Sequence, residues 1–261
     1  MGTKAIDPQA IRNVTLVGDP DETARVMHRL LRPYGKVGSS AQLSWALGRI
    51  EHTVRIAELS SHLPIARLER FLRSAEGLII AVDAAAHGAA RFETILRIAD
   101  DHQVARLCLV SGLDQPGADF DRWVRALAET RGATPLPLQI PLGSGPEFDG
   151  VVDLISMWDL EPMPAEIFGN HSTVAEQRYR TLIEALAEPP DKDADSCREL
   201  RAAPPELLQN SIRHRTRIGD VVPVLCGMTS RASYSGSLVE AIIRYLPSPL
   251  DICQPEHVLD W

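Results

Sequence analysis

The chain is short of the residue patterns that announce many functions. It has four cysteines in 261 residues, Cys108, Cys197, Cys226 and Cys253. None forms a C-x-x-C pair, and no histidine cluster stands at zinc-ligand spacing, so neither a zinc site nor a disulfide framework is expected. Cys108 and Cys226 sit in apolar runs and read as small buried hydrophobes of a reducing compartment. No apolar run approaches membrane-spanning length, and the opening MGTKAIDPQA holds no apolar h-region. The expectation is a cytoplasmic protein without a membrane partner. Positive charge is in deficit: the formal net charge of -8 disfavours broad nucleic-acid binding, and no sequence-specific nucleic-acid contact is expected. Internal repeats, low-complexity tracts and a G-x-S-x-G element are absent. What remains is ordinary globular material, 44% hydrophobic and 24% charged.

Short β-branched apolar runs alternate with amphipathic stretches, the signature of an α/β domain with a mainly parallel sheet. Strands are expected at Asn13 to Val17, Leu43 to Ala46, Val54 to Leu59, Gly77 to Asp83, Arg106 to Val110 and Val221 to Cys226. Helices are expected at Asp21 to Leu31 (broken by Pro33 and Gly35), Ile65 to Ala75, Arg91 to His102, Asp119 to Thr130, Val174 to Ala187, Pro205 to Arg213 and Leu238 to Tyr245. Pro135, Pro137 and Pro141 punctuate an extended stretch, and Gly150 to Met157 reads as a strand of a small second unit. Glu188 to Pro205 has loop composition. The tail from Pro247 is expected to run over the surface.

Several segments, in order, resemble the GTPase (G) domain of bacterial elongation factor G. They are Ile11-Arg12-Asn13-Val14-Thr15-Leu16-Val17-Gly18, then Gly117-Ala118-Asp119-Phe120. Next come Leu138-Gln139-Ile140-Pro141 and Glu147-Phe148-Asp149-Gly150-Val151-Val152-Asp153-Leu154. Pro164-Ala165-Glu166, Val222-Pro223-Val224-Leu225-Cys226-Gly227 and Tyr245-Leu246-Pro247-Ser248-Pro249 complete the series. The resemblance implies a P-loop-NTPase-like, mostly parallel sheet with helices on both faces and a small inserted G′-like subdomain. It divides the chain into a GTPase-fold domain (1–146 and 218–250), a reduced insertion (147–217) and a tail (251–261). The family's cofactor is GTP or GDP with Mg²⁺.

The family's nucleotide-handling motifs are altered one after another. A P-loop, G-x-x-x-x-G-K-[ST], closes backbone N–H groups around phosphates, with lysine for charge and a hydroxyl for Mg²⁺. Here it reads Gly18-Asp19-Pro20-Asp21-Glu22-Thr23-Ala24-Arg25. Thr23 stands at the second glycine, Ala24 at the lysine and Arg25 at the hydroxyl. Asp19-x-x-Glu22 reads equally as an N-cap with its capping-box acid. The first switch has no room between Arg32 and Ser44, where Gly38-Ser39-Ser40 makes a turn. The second switch, D-T-P-G-H in the family, is Glu58-Leu59-Ser60-Ser61-His62. Glu58 keeps a carboxylate, and His62 matches the catalytic histidine. The base-reading N-K-x-D is Ser111-Gly112-Leu113-Asp114, with only Asp114 kept, and Met228-Thr229 stands at the S-A element.

Gly18, Asp21, Arg25, Glu58 and Asp114 therefore read as a vestigial nucleotide site and His62 as an inactive catalytic position, with no metal ligands assigned. The function expected is a non-catalytic pseudo-GTPase acting as a binding or scaffolding protein. Its partner would be another protein or the ribosomal site of translation factors. Two alternatives stay open: a weak guanine-nucleotide binder without efficient hydrolysis, and an accessory protein or enzyme whose pocket, lined by Arg25, Glu58, His62 and Asp114, takes another ligand.

Overall fold

The computed structural model describes residues 7–37, 41–86, 90–130, 134–155, 172–187, 204–227 and 235–252. The expected Gly38-Ser39-Ser40 turn, the Pro164-Ala165-Glu166 segment, Met228-Thr229, Cys197, Cys253 and nearly all of the Glu188 to Pro205 loop lie outside the described residues.

The strands are β1 (Ile11–Gly18), β2 (Gly35–Val37), β3 (Ala41–Leu47), β4 (Ile50–Ser60), β5 (Gly77–Asp83), β6 (Arg106–Ser111), β7 (Thr134–Pro137), β8 (Gln139–Leu142), β9 (Gly150–Asp153) and β10 (Val221–Cys226). The helices are α1 (Pro20–Tyr34), α2 (Ile65–Arg73), α3 (Ala90–Asp101), α4 (Phe120–Glu129), α5 (Ser172–Leu186), α6 (Pro205–Arg217), α7 (Ser235–Tyr245) and α8 (Pro249–Ile252). Eight strands form one sheet in the order β2-β3-β4-β1-β5-β6-β10-β7, and β8 and β9 form a separate antiparallel pair. Every pairing from β4 across to β7 is parallel, while β2–β3 and β3–β4 are antiparallel. This is the mostly parallel α/β sheet that the sequence implies.

Alternation along the strands builds a core on each face. On β5, Ile79 and Ala81 join one apolar cluster, with Leu16, Leu30, Ile183, Ile212 and Ile242 from β1, α1, α5, α6 and α7. Leu78, Ile80 and Val82 join the other, with Leu68, Phe92, Leu96 and Leu127 from α2, α3 and α4. Strands buried on both faces read as continuous apolar runs, which is why β5, β6 and β10 are legible in the sequence. Each fully buried Leu or Ile contributes about 1.5–3 kcal/mol of transfer free energy.

Prolines fall where the ladder tolerates them. Pro135 and Pro137 sit on β7, an edge strand, and Pro223 precedes the stretch of β10 that pairs with β6. Two expectations change, and the tail read as running over the surface opens with a helical turn on which Leu250 and Ile252 are exposed. Helix α1 does not stop before Pro33 but runs through it to Tyr34. Proline there forfeits a single late hydrogen bond, and the chain turns into β2 at once. The strand read over Gly150 to Met157 closes at Asp153, whose carboxylate accepts from the Ile155 N–H at 2.9 Å and turns the backbone. The chain after Pro247 makes the helical turn α8, whose Asp251 pairs with Arg213 and Arg217.

Candidate functional site

The strand order reverses at β1, whose neighbours β4 and β5 come from opposite directions of chain growth. The carboxyl ends flanking such a reversal are where open α/β sheets place ligands. The register brings Gly18 beside Ser60 and Asp83 beside Ser111 at this edge. A cavity of about 400 Å³ opens here.

The β1–α1 connection is one residue long. Asp19 alone separates Gly18 from Pro20, the first helical residue. The Asp19 carboxylate accepts from the Asp21 N–H at 3.0 Å, and its carbonyl accepts from the Thr23 N–H at 2.9 Å. Pro20 has no N–H to satisfy. The start of α1 is thus closed from within the chain. Gly18 is required by close approach: a Cβ there would lie 2.6 Å from the Ala81 carbonyl oxygen.

Glu22 departs from the expected capping box. It is only 3% exposed and turns inward, where its carboxylate accepts a hydrogen bond from the Ser111 hydroxyl and pairs with Arg25 at 2.5 Å. Two partners in a dry place outweigh the single exposed N–H that a capping box offers. Arg25 reaches on to Asp83 at 3.0 Å, and Asp83 also accepts from the Ala85 N–H at 2.9 Å. The Asp83 carboxylate fills the space where Gly112 lacks a side chain, since a Cβ on Gly112 would lie 2.6 Å from Asp83 Oδ1. Burial pushes the Glu22 carboxyl above its ordinary pKa, against the pull of Ser111 and Arg25. For Arg25, burial works against the charge, but Glu22 and Asp83 outweigh it and raise its pKa.

Of the residues singled out in the sequence, Gly18, Asp21, Arg25 and His62 line this cavity, and Glu58 and Asp114 do not. Glu58 is exposed on β4, between Ala57 and the buried Leu59. Asp114 is half-buried in the turn after β6. A pocket built from Arg25, Glu58, His62 and Asp114 together is therefore not what the fold makes. His62 is exposed and pairs with Asp19, Nε2 to Oδ2, at 3.1 Å. The neighbouring Ser61 N–H donates to the Gly18 carbonyl at 2.7 Å, which ties the ends of β4 and β1 together.

Sequence reasoning missed Asp83, Arg91, Phe92, Ile95 and Trp123, all of which line the cavity. Asp83 carried a signal, being a carboxylate at the end of an otherwise apolar strand. The α3 and α4 residues carried none, because their apolar positions match any core helix. Phe92 and Trp123 meet edge to face at 5.2 Å, and the Trp123 indole donates to the Asp83 carbonyl at 3.1 Å. Among the described residues no group of three or more His, Cys, Asp or Glu side chains is placed to hold a metal, and no helix is long and apolar enough to cross a membrane. Cys108 and Cys226 are buried, and burial pushes both thiols well above their ordinary pKa.

No protein-family model matches the chain. Elongation factor G of Wolbachia pipientis subsp. Culex pipiens (strain wPip) is 34% identical over 213 residues, covering 77% of this chain and 31% of the relative. Elongation factor G of Ehrlichia ruminantium (strain Welgevonden) is 33% identical over 218 residues, covering 80% and 32%. The chain thus spans about a third of the length of these relatives. A crystal structure of a protein from Thermus thermophilus superimposes over 93% of this chain and 41% of that one, with a TM-score of 0.68 at 19% identity, a likeness of fold. The chain is a relative of elongation factor G, and its matched region and sheet correspond to the GTPase (G) domain of that family.

Proposed function

We propose that this chain is a non-catalytic, elongation-factor-G-like domain that keeps the GTPase fold as a binding or scaffolding module and does not hydrolyse GTP. The observation that carries the reading is the closed start of α1, with Arg25 held between Glu22 and Asp83. A phosphate cradle needs free N–H groups, a lysine and a hydroxyl for Mg²⁺. Here Asp19 takes the Asp21 and Thr23 N–H groups, Ala24 stands for the lysine, and Arg25 stands for the hydroxyl with its own charge already paired. The residues present do not fit Mg²⁺ with a nucleoside triphosphate. A like-charge contact near 4 Å costs about 1 kcal/mol in water and about 4 kcal/mol near a protein surface, and Asp19, Asp21 and Glu22 all stand on the phosphate side.

The same reading divides the chain into a GTPase-fold domain over 1–146 and 218–250 with a reduced insertion at 147–217. Its partner is a protein surface, the translation-factor site of the ribosome being the one that the named relatives suggest. Calorimetry with GTP and GDP, with and without Mg²⁺, tests the reading. Binding tighter than about 100 µM, roughly 5.5 kcal/mol, is not expected, and a low-micromolar Mg²⁺-dependent isotherm would sink it. GTP turnover should equal the protein-free control, with or without ribosomes.

A further inference from the structure

We infer that the cavity at the β1/β5 edge is a binding site for a small organic cation carried on a flat apolar body, a guanidinium or amidinium on an aromatic ring being the type. The inference rests on the reading that nucleotide no longer occupies this crevice, and it adds the class of ligand that would.

The cavity has two unlike sides. From β1 and α1 come Asp19, Asp21, Glu22 and Arg25, and Asp83 closes β5. These four carboxylates share the lining with the guanidiniums of Arg25 and Arg91 and with His62; Arg25 is divided between Glu22 and Asp83, and His62 pairs with Asp19. From α3 and α4 come Phe92, Ile95 and Trp123, with Val82 beneath. The volume, about 400 Å³, lies within the range of small-molecule pockets, which combine an apolar lining with a few placed polar groups. A cation seated toward α1 meets Asp21 and the carboxylates around it, while its ring lies against the aromatic wall. An anion of the same shape would meet those carboxylates with like charge.

Benzamidine, benzyl alcohol and benzoate are three probes of similar size and opposite or no charge. In thermal melts of the intact chain, 10 mM benzamidine should raise Tm by about 5 °C if its Kd is near 100 µM, benzyl alcohol should act less, and benzoate not at all. The indole N–H resonance of Trp123 should move with benzamidine. Ala86 lies exposed at the cavity rim, so Ala86→Trp blocks the mouth without entering either core and should abolish both effects. Asp21→Asn, on the exposed first turn of α1, should weaken benzamidine about three- to tenfold with the protein still folded. Equal effects of benzoate and benzamidine, or a benzamidine shift that survives Ala86→Trp, overturn the inference. No response to any probe does the same and leaves the non-hydrolytic reading standing. An upward shift with Mg²⁺ and GTP overturns both.

Discussion

Two clusters of buried charge sit at opposite ends of β1, and they treat their carboxylates differently. At the carboxyl end, burial dominates and Glu22 is raised, with one hydroxyl and one arginine as partners. At the amino end, Asp251 is held below its ordinary pKa. Burial works against the Asp251 charge too, but the Ser248 N–H and hydroxyl and then Arg217 and Arg213 prevail. Nearby, burial and then the Arg213 charge bring Arg12 down to about 10, with Asp251 pulling the other way. The same surroundings, burial first and then Arg12 and Arg213, hold His52 low. The amino end is a structural lock with cations in excess, in which Asp251 is fully engaged while Arg12 Nε and His52 Nδ1 are buried without a hydrogen-bond partner among the described residues. The carboxyl end carries acid in excess beside open space, and space with unbalanced charge is where a ligand can still contribute.

The largest effect is expected at the lock. Asp251→Ala removes the carboxylate that balances Arg213 and Arg217 and accepts from Ser248 at 2.8 and 2.9 Å. Stranding partners of a largely buried charge costs about 3–5 kcal/mol, and the partial exposure of these arginines reduces that to about 2–3 kcal/mol. The sign with pH follows from the lowered pKa. The contribution is present above the unfolded value, near 3.8, and is lost as pH falls through the folded value. Urea melts at pH 7 and pH 3 should show the gap between wild type and variant closing in acid. A gap unchanged at pH 3 would mean that Asp251 acts by shape alone.

At the other end the effects are smaller, and the contribution of the Glu22 charge itself runs the opposite way with pH. Arg25→Ala leaves Glu22 buried with Ser111 alone, but Arg25 is itself 43% exposed, so about 1–2 kcal/mol is expected at pH 7. The deficit should shrink as acid protonates Glu22, and a deficit that grows in acid would contradict the pairing. Glu22→Gln keeps an acceptor for Ser111 and removes a buried charge, so its cost at pH 7 should be below that of Arg25→Ala. Because the folded pKa of Glu22 is raised, the wild type is favoured below the unfolded value of 4.5 and loses that advantage as pH rises through the folded value. The stability of Glu22→Gln relative to wild type should therefore climb from pH 4 to pH 8. A flat or falling difference would show Glu22 to be an ordinary ion-paired acid.

The unequal ends also explain what the sequence makes legible. Strand β5 is legible to both of its ends, Gly77 and Asp83, because a strand buried on both faces writes a continuous apolar run. The helix read from Asp119 is nearly as plain: it begins at Phe120, with Asp119 as the cap whose carboxylate accepts from the Arg122 N–H at 2.8 Å. Charged side chains are harder. Glu22 matches a capping-box position by spacing, yet its partner Ser111 lies 89 residues away, on a strand that only the sheet order brings near. Glu58 keeps the family's carboxylate and Asp114 its aspartate without lining the cavity, because a motif records chain position while a site records direction. The aromatic wall of Phe92 and Trp123 is hidden for the reverse reason, since nothing distinguishes a cavity wall from a core in one dimension.

The smallest effect is expected at His62, and it bears on function more than on stability. Its Nε2 lies 3.1 Å from Asp19 Oδ2, with the two side chains 64% and 54% exposed. A pair so wet is worth about 0.5 kcal/mol or less, because water screens the attraction and ordering two side chains opposes it. His62→Ala should thus melt within about 1 °C of wild type. A histidine that positions water for attack on phosphate must point at a phosphate held nearby, and this one is turned onto the acid that closes the start of α1. Ribosome-stimulated GTP turnover should therefore stay at the protein-free background in wild type and variant alike. If wild type turns GTP over and His62→Ala does not, the carboxyl end of β1 is a working hydrolytic site, and the contrast between a structural lock and a vacated crevice fails at its more open end.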